Sequence, residues 1–218
     1  MGKAFKRSII KLWEALIEVI YPRENYCIIC KEEDCFGICN TCKKNIRLIG
    51  EAYQEEIISY GYYGGVLKEL ILKFKYKDNF TAGDILAEIL EEYIIKNFNY
   101  KEYIITYIPL SKKSEKIRGF NQCKYIAEKI SRDLSIEVFE VLIKTKETKE
   151  QKKLKKDERF ENIKDAFEIK KGLKIKNPKI ILIDDVTTTG ATLKEAYKLL
   201  KKFNFNDIKL LTLAKSHI

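Results

Sequence analysis

One stretch constrains this chain more than any other: Ile180–Thr192, IILIDDVTTTGAT. An apolar run, Ile180 to Ile183, meets two adjacent carboxylates, Asp184 and Asp185. A hydroxyl-rich turn follows, made of Thr187–Thr189, Gly190, Ala191 and Thr192, and helical spacing then runs from Leu193 to about Phe203. The order is strand, loop, helix. In open α/β sheets such a unit carries the chain to the carboxyl edge, where ligands bind. N–H groups at the start of a helix favour an anion. Glycine lets the backbone approach a phosphate closely, and threonine hydroxyls add donors without charge. Paired carboxylates repel a phosphate but, as pure acceptors, suit vicinal hydroxyls. The stretch therefore fits a ribose 5-phosphate, with the acids on the diol and the loop on the phosphate. The Walker arrangement of a glycine-led loop ending in Gly-Lys-Ser/Thr is absent from the sequence.

The rest of the chain alternates in the same way. Strands are expected at Ile57–Tyr63, Tyr103–Ile108, Ile136–Ile143, Ala166–Ile169, Ile180–Ile183 and Lys209–Ala214. Helices are expected at residues 1–22, Val66–Tyr76, Ala82–Phe98 and Asn121–Leu134, with Asn121 as an N-cap. Strands separated by helices imply an α/β fold with a mostly parallel sheet. Lys144–Arg159 is expected to be a long basic loop, of a length that suits a lid over a reactive site. Lys112, Lys113, Lys116 and Arg118 crowd the turn after Pro109, where cations could hold a pyrophosphate. Lys73, Lys75 and Lys77 alternate with Phe74 and Tyr76 as a cation row or an amphipathic helix end.

Five of the six cysteines fall within Cys27–Cys42. Cys27-x-x-Cys30 and Cys39-x-x-Cys42 form two knuckles eight residues apart, the pattern of a closed, structural Zn²⁺ site, with Cys35 as a spare or substitute ligand. Cys123 stands alone and suits helix packing. The expected division is a helix and zinc module over 1–48 and an α/β domain over 49–218.

Lys+Arg 42 against Asp+Glu 32 gives a net charge of +10, which fits phosphate-rich ligands or nucleic acid. No stretch is long and apolar enough to span a bilayer. Near the N-terminus, Glu14 and Glu18 interrupt any signal-peptide core, so stable membrane insertion and export are not expected and a cytoplasmic location is. The single histidine, His217, excludes mechanisms built on a histidine base.

ILIDDVTTTGATL resembles the 5-phosphoribosyl-1-pyrophosphate (PRPP) loop of type I phosphoribosyltransferases, which usually carry an apolar residue where Thr187 stands. The wider pattern is Cys27/Cys30/Cys39/Cys42, YYGGVLKELILKFKY, IPLSKKSEKIRGFNQ, Gln151-x-x-Leu154 with Arg159 and Asn162, Ala166-Phe167, then IDDVTTTGATL. That order resembles the ComF family of competence proteins, of the ComFC type. The resemblance implies a type I phosphoribosyltransferase fold with an N-terminal zinc module, and a role in DNA uptake during natural transformation beside a ComFA-like helicase. It implies that Asp184 and Asp185 hold the ribose of PRPP, and that Thr188, Thr189, Gly190, Ala191 and Thr192 hold its 5-phosphate. It makes Lys73, Arg118, Gln151 and Arg159 candidates for the pyrophosphate or acceptor side, with Mg²⁺ accompanying PRPP. Transfer to an unidentified acceptor is one expectation. A non-catalytic PRPP sensor or a single-stranded-DNA-binding module on the same fold is the other, and no base-recognition hood is legible in the sequence.

Overall fold

A computed structural model of the chain describes residues 25–50, 56–148, 156–175 and 179–216. The helix expected over 1–22, Gln151, Leu154 and His217 lie outside them. The chain divides into two compact units, Met1–Lys43 and Lys44–Ile218.

In the first unit, the described chain makes two short bridges, Tyr26 with Glu33 and Cys27 with Gly37. Tight reversals at Lys31, Asp34 and Gly37, all at positive φ, fold the cysteines back on one another. The short helix α1 (Asn40–Lys44) starts between the last two cysteines.

The second unit is built around a four-stranded parallel sheet in the order β1-β6-β5-β2. Its elements run β1 (Ile57–Tyr62), α2 (Gly65–Tyr76), α3 (Phe80–Asn97), β2 (Tyr103–Tyr107), α4 (Lys112–Arg118), α5 (Gln122–Leu134), β3 (Leu142–Lys144), α6 (Lys156–Ile163), β4 (Phe167–Ile169), β5 (Lys179–Thr187), α7 (Ala191–Lys202) and β6 (Ile208–Lys215). β5 lies between two neighbours and must be apolar on both faces, which is why Ile180, Ile181, Leu182 and Ile183 are all fully buried. The edge strand β1 instead alternates buried with half-buried residues. Ile180 and Leu182 join one core cluster with Leu193, Ala196 and Leu200 of α7. Ile181 and Ile183 point to the other face by the two-residue period of a strand. α5 packs on β2 and β5, and α3 packs on α2 and α5. Gly83 of α3 permits that last arrangement, because a Cβ there would lie 2.6 Å from the Phe74 ring of α2.

Three elements differ from the sequence expectation. The strand expected over Ile136–Ile143 is split. Val138 makes one parallel bridge beside Ile105, and the strand resumes only at Leu142, as β3. β3 pairs with β4 in a separate two-stranded antiparallel sheet. The basic turn after Pro109 is a helix, α4, N-capped by the Ser111 hydroxyl and closed by Gly119 in the left-handed region. The expected long loop Lys144–Arg159 is bounded by structure on both sides, since Lys144 belongs to β3 and Arg159 to α6.

Candidate functional site

The apolar run of β5 carries the chain to the sheet's carboxyl edge. β2 stops opposite Ile183, at Tyr107, but β5 continues beside β6 as far as Thr187, opposite Lys215. The two acids are therefore still strand residues. Each carboxylate accepts from the following backbone N–H: Asp184 Oδ1 from Asp185 at 2.9 Å, and Asp185 Oδ1 from Val186 at 2.6 Å. These bonds fix the acids at the end of the strand. Thr187 is buried at the end of the ladder, where its carbonyl accepts from Ser216 N–H. That environment accounts for an apolar residue being common at this position.

Two neighbours define the acids' electrostatics. Lys75, in the last turn of α2, places its ammonium 2.5 Å from Asp185 Oδ2, with both side chains 16% exposed. Cys123, in the first turn of α5, donates its S–H to Asp184 Oδ1 at 3.6 Å. Asn121 anchors that turn. Its amide caps the N–H groups of Cys123 and Lys124, and its Nδ2 donates to the Ile108 carbonyl. Burial raises the Asp184 carboxyl to about 7, helped by the charge on Asp185 and opposed by the Asp185 N–H and Lys75. Burial also pushes the Cys123 thiol well up, reinforced by both acids. Burial works against charge on Lys75, but Asp185 outweighs it and holds the ammonium above the ordinary lysine value. Lys144 is lowered by burial, with Asp184 opposing, and donates to Thr148 Oγ1 at 2.7 Å.

Beyond the strand, the turn 188–190 leads into α7. A small cleft there is lined by Asp184, Val186, Thr187, Thr188, Gly190, Ala191, Thr192 and Leu193. Gly190 has φ +76, and a Cβ on it would sit 2.5 Å from Ile57 Cδ1, so the turn closes tightly only around glycine. As N-cap, Gly190 brings no side chain to the first N–H groups of α7, and the first turn holds no acid. Such a helix start is suited to an anion. Arg159, from α6, donates Nη1 to Thr188 Oγ1 at 2.9 Å and so brings the element after the basic segment onto this turn. At the other end of that segment, Glu147 accepts from the Ser111 hydroxyl at 2.7 Å and from Lys113 N–H at 3.2 Å.

The remaining candidates stand elsewhere. Lys73 pairs with Glu69 one helical turn back, at 3.5 Å. Arg118 lies over the Tyr76 ring, 5.8 Å from its centroid. Lys75, Cys123 and Lys144 were not singled out from sequence as partners of the acids. For Lys75 a signal existed: Leu67, Leu70, Ile71 and Phe74 set the buried phase of α2, and Lys75, four residues after Ile71, shares that face. Gln122 ends the RGFNQ stretch and opens α5. It is 1% exposed, and neither atom of its amide has a hydrogen-bond partner among the described residues.

In the first unit, the Sγ atoms of Cys27, Cys30, Cys39 and Cys42 all lie within 4.8 Å of one another, and Cys30 and Cys39 are 3.6 Å apart. Tetrahedral Zn–S bonds of about 2.3 Å require sulfur separations of about 3.8 Å, so the four thiols fit such an ion. N–H groups of Cys39 and Cys42 already point at the sulfurs of Cys27 and Cys39, each at 3.4 Å. Burial opposes charge on Cys27, but hydrogen bonds from the backbone of Cys30, Cys39 and Ile29 bring it down to about 6. Cys39 is raised to about 11, chiefly by Glu32. Burial and the other sulfurs push Cys42 up as well. Cys35 is not in the cluster, and its thiol donates to the Glu32 carbonyl.

A family model described as a phosphoribosyl transferase domain matches residues 121–218, the part that contains α5, the acids and the turn. Competence protein F of Haemophilus influenzae is 31% identical over 186 residues, covering 82% of this chain and 78% of that protein. This chain belongs to the ComF family. ComFC of Bacillus subtilis is 28% identical over 222 residues, covering 94% of this ComF chain and 89% of that protein. ComFC of Streptococcus pneumoniae is 32% identical over 153 residues, covering 70% of this chain and 65% of the relative, just under two thirds of its length. Among solved structures, adenine phosphoribosyl transferase of Trypanosoma brucei in complex with AMP, pyrophosphate and ribose-5-phosphate is similar at a TM-score of 0.42, with 12% identity over 81% of this chain and 78% of that one. The ComF chain thus carries a phosphoribosyltransferase fold, a parallel sheet flanked by helices, with a cysteine cluster near its N-terminus able to hold a metal. No helix among the described residues is long and apolar enough to cross a membrane.

Proposed function

We propose that this ComF protein binds PRPP at the carboxyl end of β5 and transfers its phosphoribosyl group, as part of DNA uptake. The observation that carries the reading is the junction of β5 and α7: two fixed carboxylates, then a glycine-closed turn at the start of a helix whose first turn holds no acid. Asp184 and Asp185 accept from the ribose hydroxyls. Thr188, Thr189, Gly190, Ala191 and Thr192 receive the 5-phosphate, through backbone N–H groups and hydroxyls. PRPP enters as its Mg²⁺ complex, with Arg118, Arg159, Lys73 and Gln151 as candidates for the pyrophosphate or acceptor side. The described residues near the acids include no histidine and no exposed thiolate, so catalysis rests on positioning and on cations that offset the departing charge, rather than on a covalent nucleophile.

The four-cysteine cluster takes one structural Zn²⁺. A closed set of four thiolates leaves no open coordination position for substrate chemistry. The DNA role draws on the relatives' designation as competence proteins; the cytoplasmic location and the ComFA-like helicase beside it are our reading of the family resemblance. Exposed lysines on α4, with Tyr76 and Arg118 nearby, favour a second reading in which single-stranded DNA is the acceptor or a bound partner.

The test is pyrophosphate release from PRPP against a panel of free bases, nucleotides and single-stranded DNA. Release with one acceptor class identifies the reaction. A silent panel alongside clear PRPP binding removes the transferase claim and leaves a sensor. DNA affinity that does not fall between low and moderate salt removes phosphate contacts as its source.

A further inference from the structure

We infer that Lys75 is the specificity-determining residue for the pyrophosphate arm. It makes the site prefer ribose 5-phosphate carrying a 1-pyrophosphate over ribose 5-phosphate itself. The inference rests on the ribose–phosphate reading above.

Lys75 Nζ is 2.5 Å from Asp185 Oδ2, and both side chains are largely withdrawn from solvent. Its position follows fully buried Phe74, whose ring is wedged among Phe80, Phe120 and Tyr125, so the base of the lysine stem is held. An ammonium enclosed in this way needs an anionic partner at all times. In the free protein that partner is Asp185. When a ribose diol donates to Asp185, the carboxylate is shared between sugar and lysine. The hydroxyl at C2 neighbours the anomeric carbon, so a pyrophosphate at C1 places new anionic oxygens within a swing of the lysine side chain. A lysine ammonium on a four-carbon stem can make that swing without moving the helix.

Ribose 5-phosphate offers no such anion at C1. With that ligand, Lys75 stays on Asp185 and competes with the diol. With PRPP, it gains a charge-assisted bond and frees the carboxylate for the sugar. The other cations near the site have other partners: Lys144 donates to Thr148 Oγ1, and Arg159 to Thr188 Oγ1 on the 5-phosphate turn. Lys73 faces Glu69, Arg118 lies over Tyr76, and Lys112, Lys113 and Lys116 are exposed on α4.

The experiment is isothermal calorimetry on the full chain with Mg²⁺–PRPP and with ribose 5-phosphate, for wild type, Lys75→Met and Lys75→Arg. Wild type should prefer PRPP. Lys75→Met should lose about ten- to a hundredfold of that preference, the value of one charge-assisted hydrogen bond, with PRPP binding weakened and ribose 5-phosphate bound no more weakly than by wild type, since the competition for Asp185 is gone. Lys75→Arg, which keeps the charge, should retain most of the preference. An unchanged preference in Lys75→Met, or a parallel loss for both ligands, overturns the assignment. If Lys75→Met does not fold by thermal melt, inorganic pyrophosphate is titrated into wild type and Lys75→Gln, and equal affinity for the two overturns it. A wild type that binds neither sugar ligand sinks the ribose–phosphate reading instead, so the two failures are distinguishable.

Discussion

Asp184 is a residue whose placement works against the stability of the free protein. Its carboxyl is raised from the usual range to about 7, first by burial and then by Asp185. A raised carboxyl binds its proton more tightly when folded than when unfolded, so ionisation weakens the fold. The penalty is absent below the unfolded value near 4, grows between about 4 and 7, and is complete above that. Asp184→Asn should therefore melt at a higher temperature than wild type at pH 8, with the difference shrinking toward pH 4. A pH-independent difference would show that Asp184 ionisation does not control stability. Gly190 makes the converse case. Gly190→Ala forces a Cβ into the left-handed region and against Ile57. A loss of about 1–2 kcal/mol in a denaturant melt is expected, and an unaltered midpoint would mean that the turn has room to adjust. The acids, the threonines and the glycine were legible in the sequence because their chemistry is spelled out in consecutive letters. Lys75 and Cys123 were not, because their partnership with the acids exists only after α2 and α5 dock on the end of β5.

At the scale of elements, the long periodic segments were legible and the short polar ones were not. β5 and α7 carry an unbroken apolar run and then a strong apolar stripe; α7 appears where the sequence placed it, and β5 contains the expected Ile180–Ile183 but runs on through the acids to Thr187. α4, KKSEKIR, buries none of its residues, so hydrophobic periodicity could not mark it. Its helix rests on the Ser111 cap and the Gly119 stop instead, a combination worth about 1 kcal/mol and recognisable only as chemistry of the ends. α6, KDERFENI, is similarly polar. Its Arg159 ties it to the 188–190 turn through Thr188. Loss of that tie in Arg159→Ala should speed amide hydrogen exchange across 188–190 in the free protein, and PRPP should restore protection. Unchanged exchange would mean the turn is held without α6. The split of the expected Ile136–Ile143 strand belongs here too, because Val138 bridges to Ile105 while Leu142–Lys144 pairs with β4, and the choice of partner is made only in the tertiary structure.

For the molecule as a whole, the alternation of strands and helices indicates a parallel α/β sheet, while the order β1-β6-β5-β2 arises from pairing between distant segments that no single stretch spells out. The cysteine spacing named four ligands, and the four sulfurs converge. The protein should carry one equivalent of zinc per chain by elemental analysis. Cys35→Ser should leave that content unchanged and Cys42→Ser should abolish it; the reverse pattern would exchange their roles. The net charge of +10 cannot by itself distinguish a phosphosugar from a nucleic acid, since both are polyanions. The acid pair at the end of β5 can, because a diol is the partner it suits. The most direct measurement is a calorimetric titration of Mg²⁺–PRPP into the wild-type chain and into the Asp184→Asn, Asp185→Asn double variant, with each fold verified by thermal melt. Saturable binding to wild type and its loss in the folded double variant are expected. Equal affinity in the two would contradict the placement of the ribose on these acids.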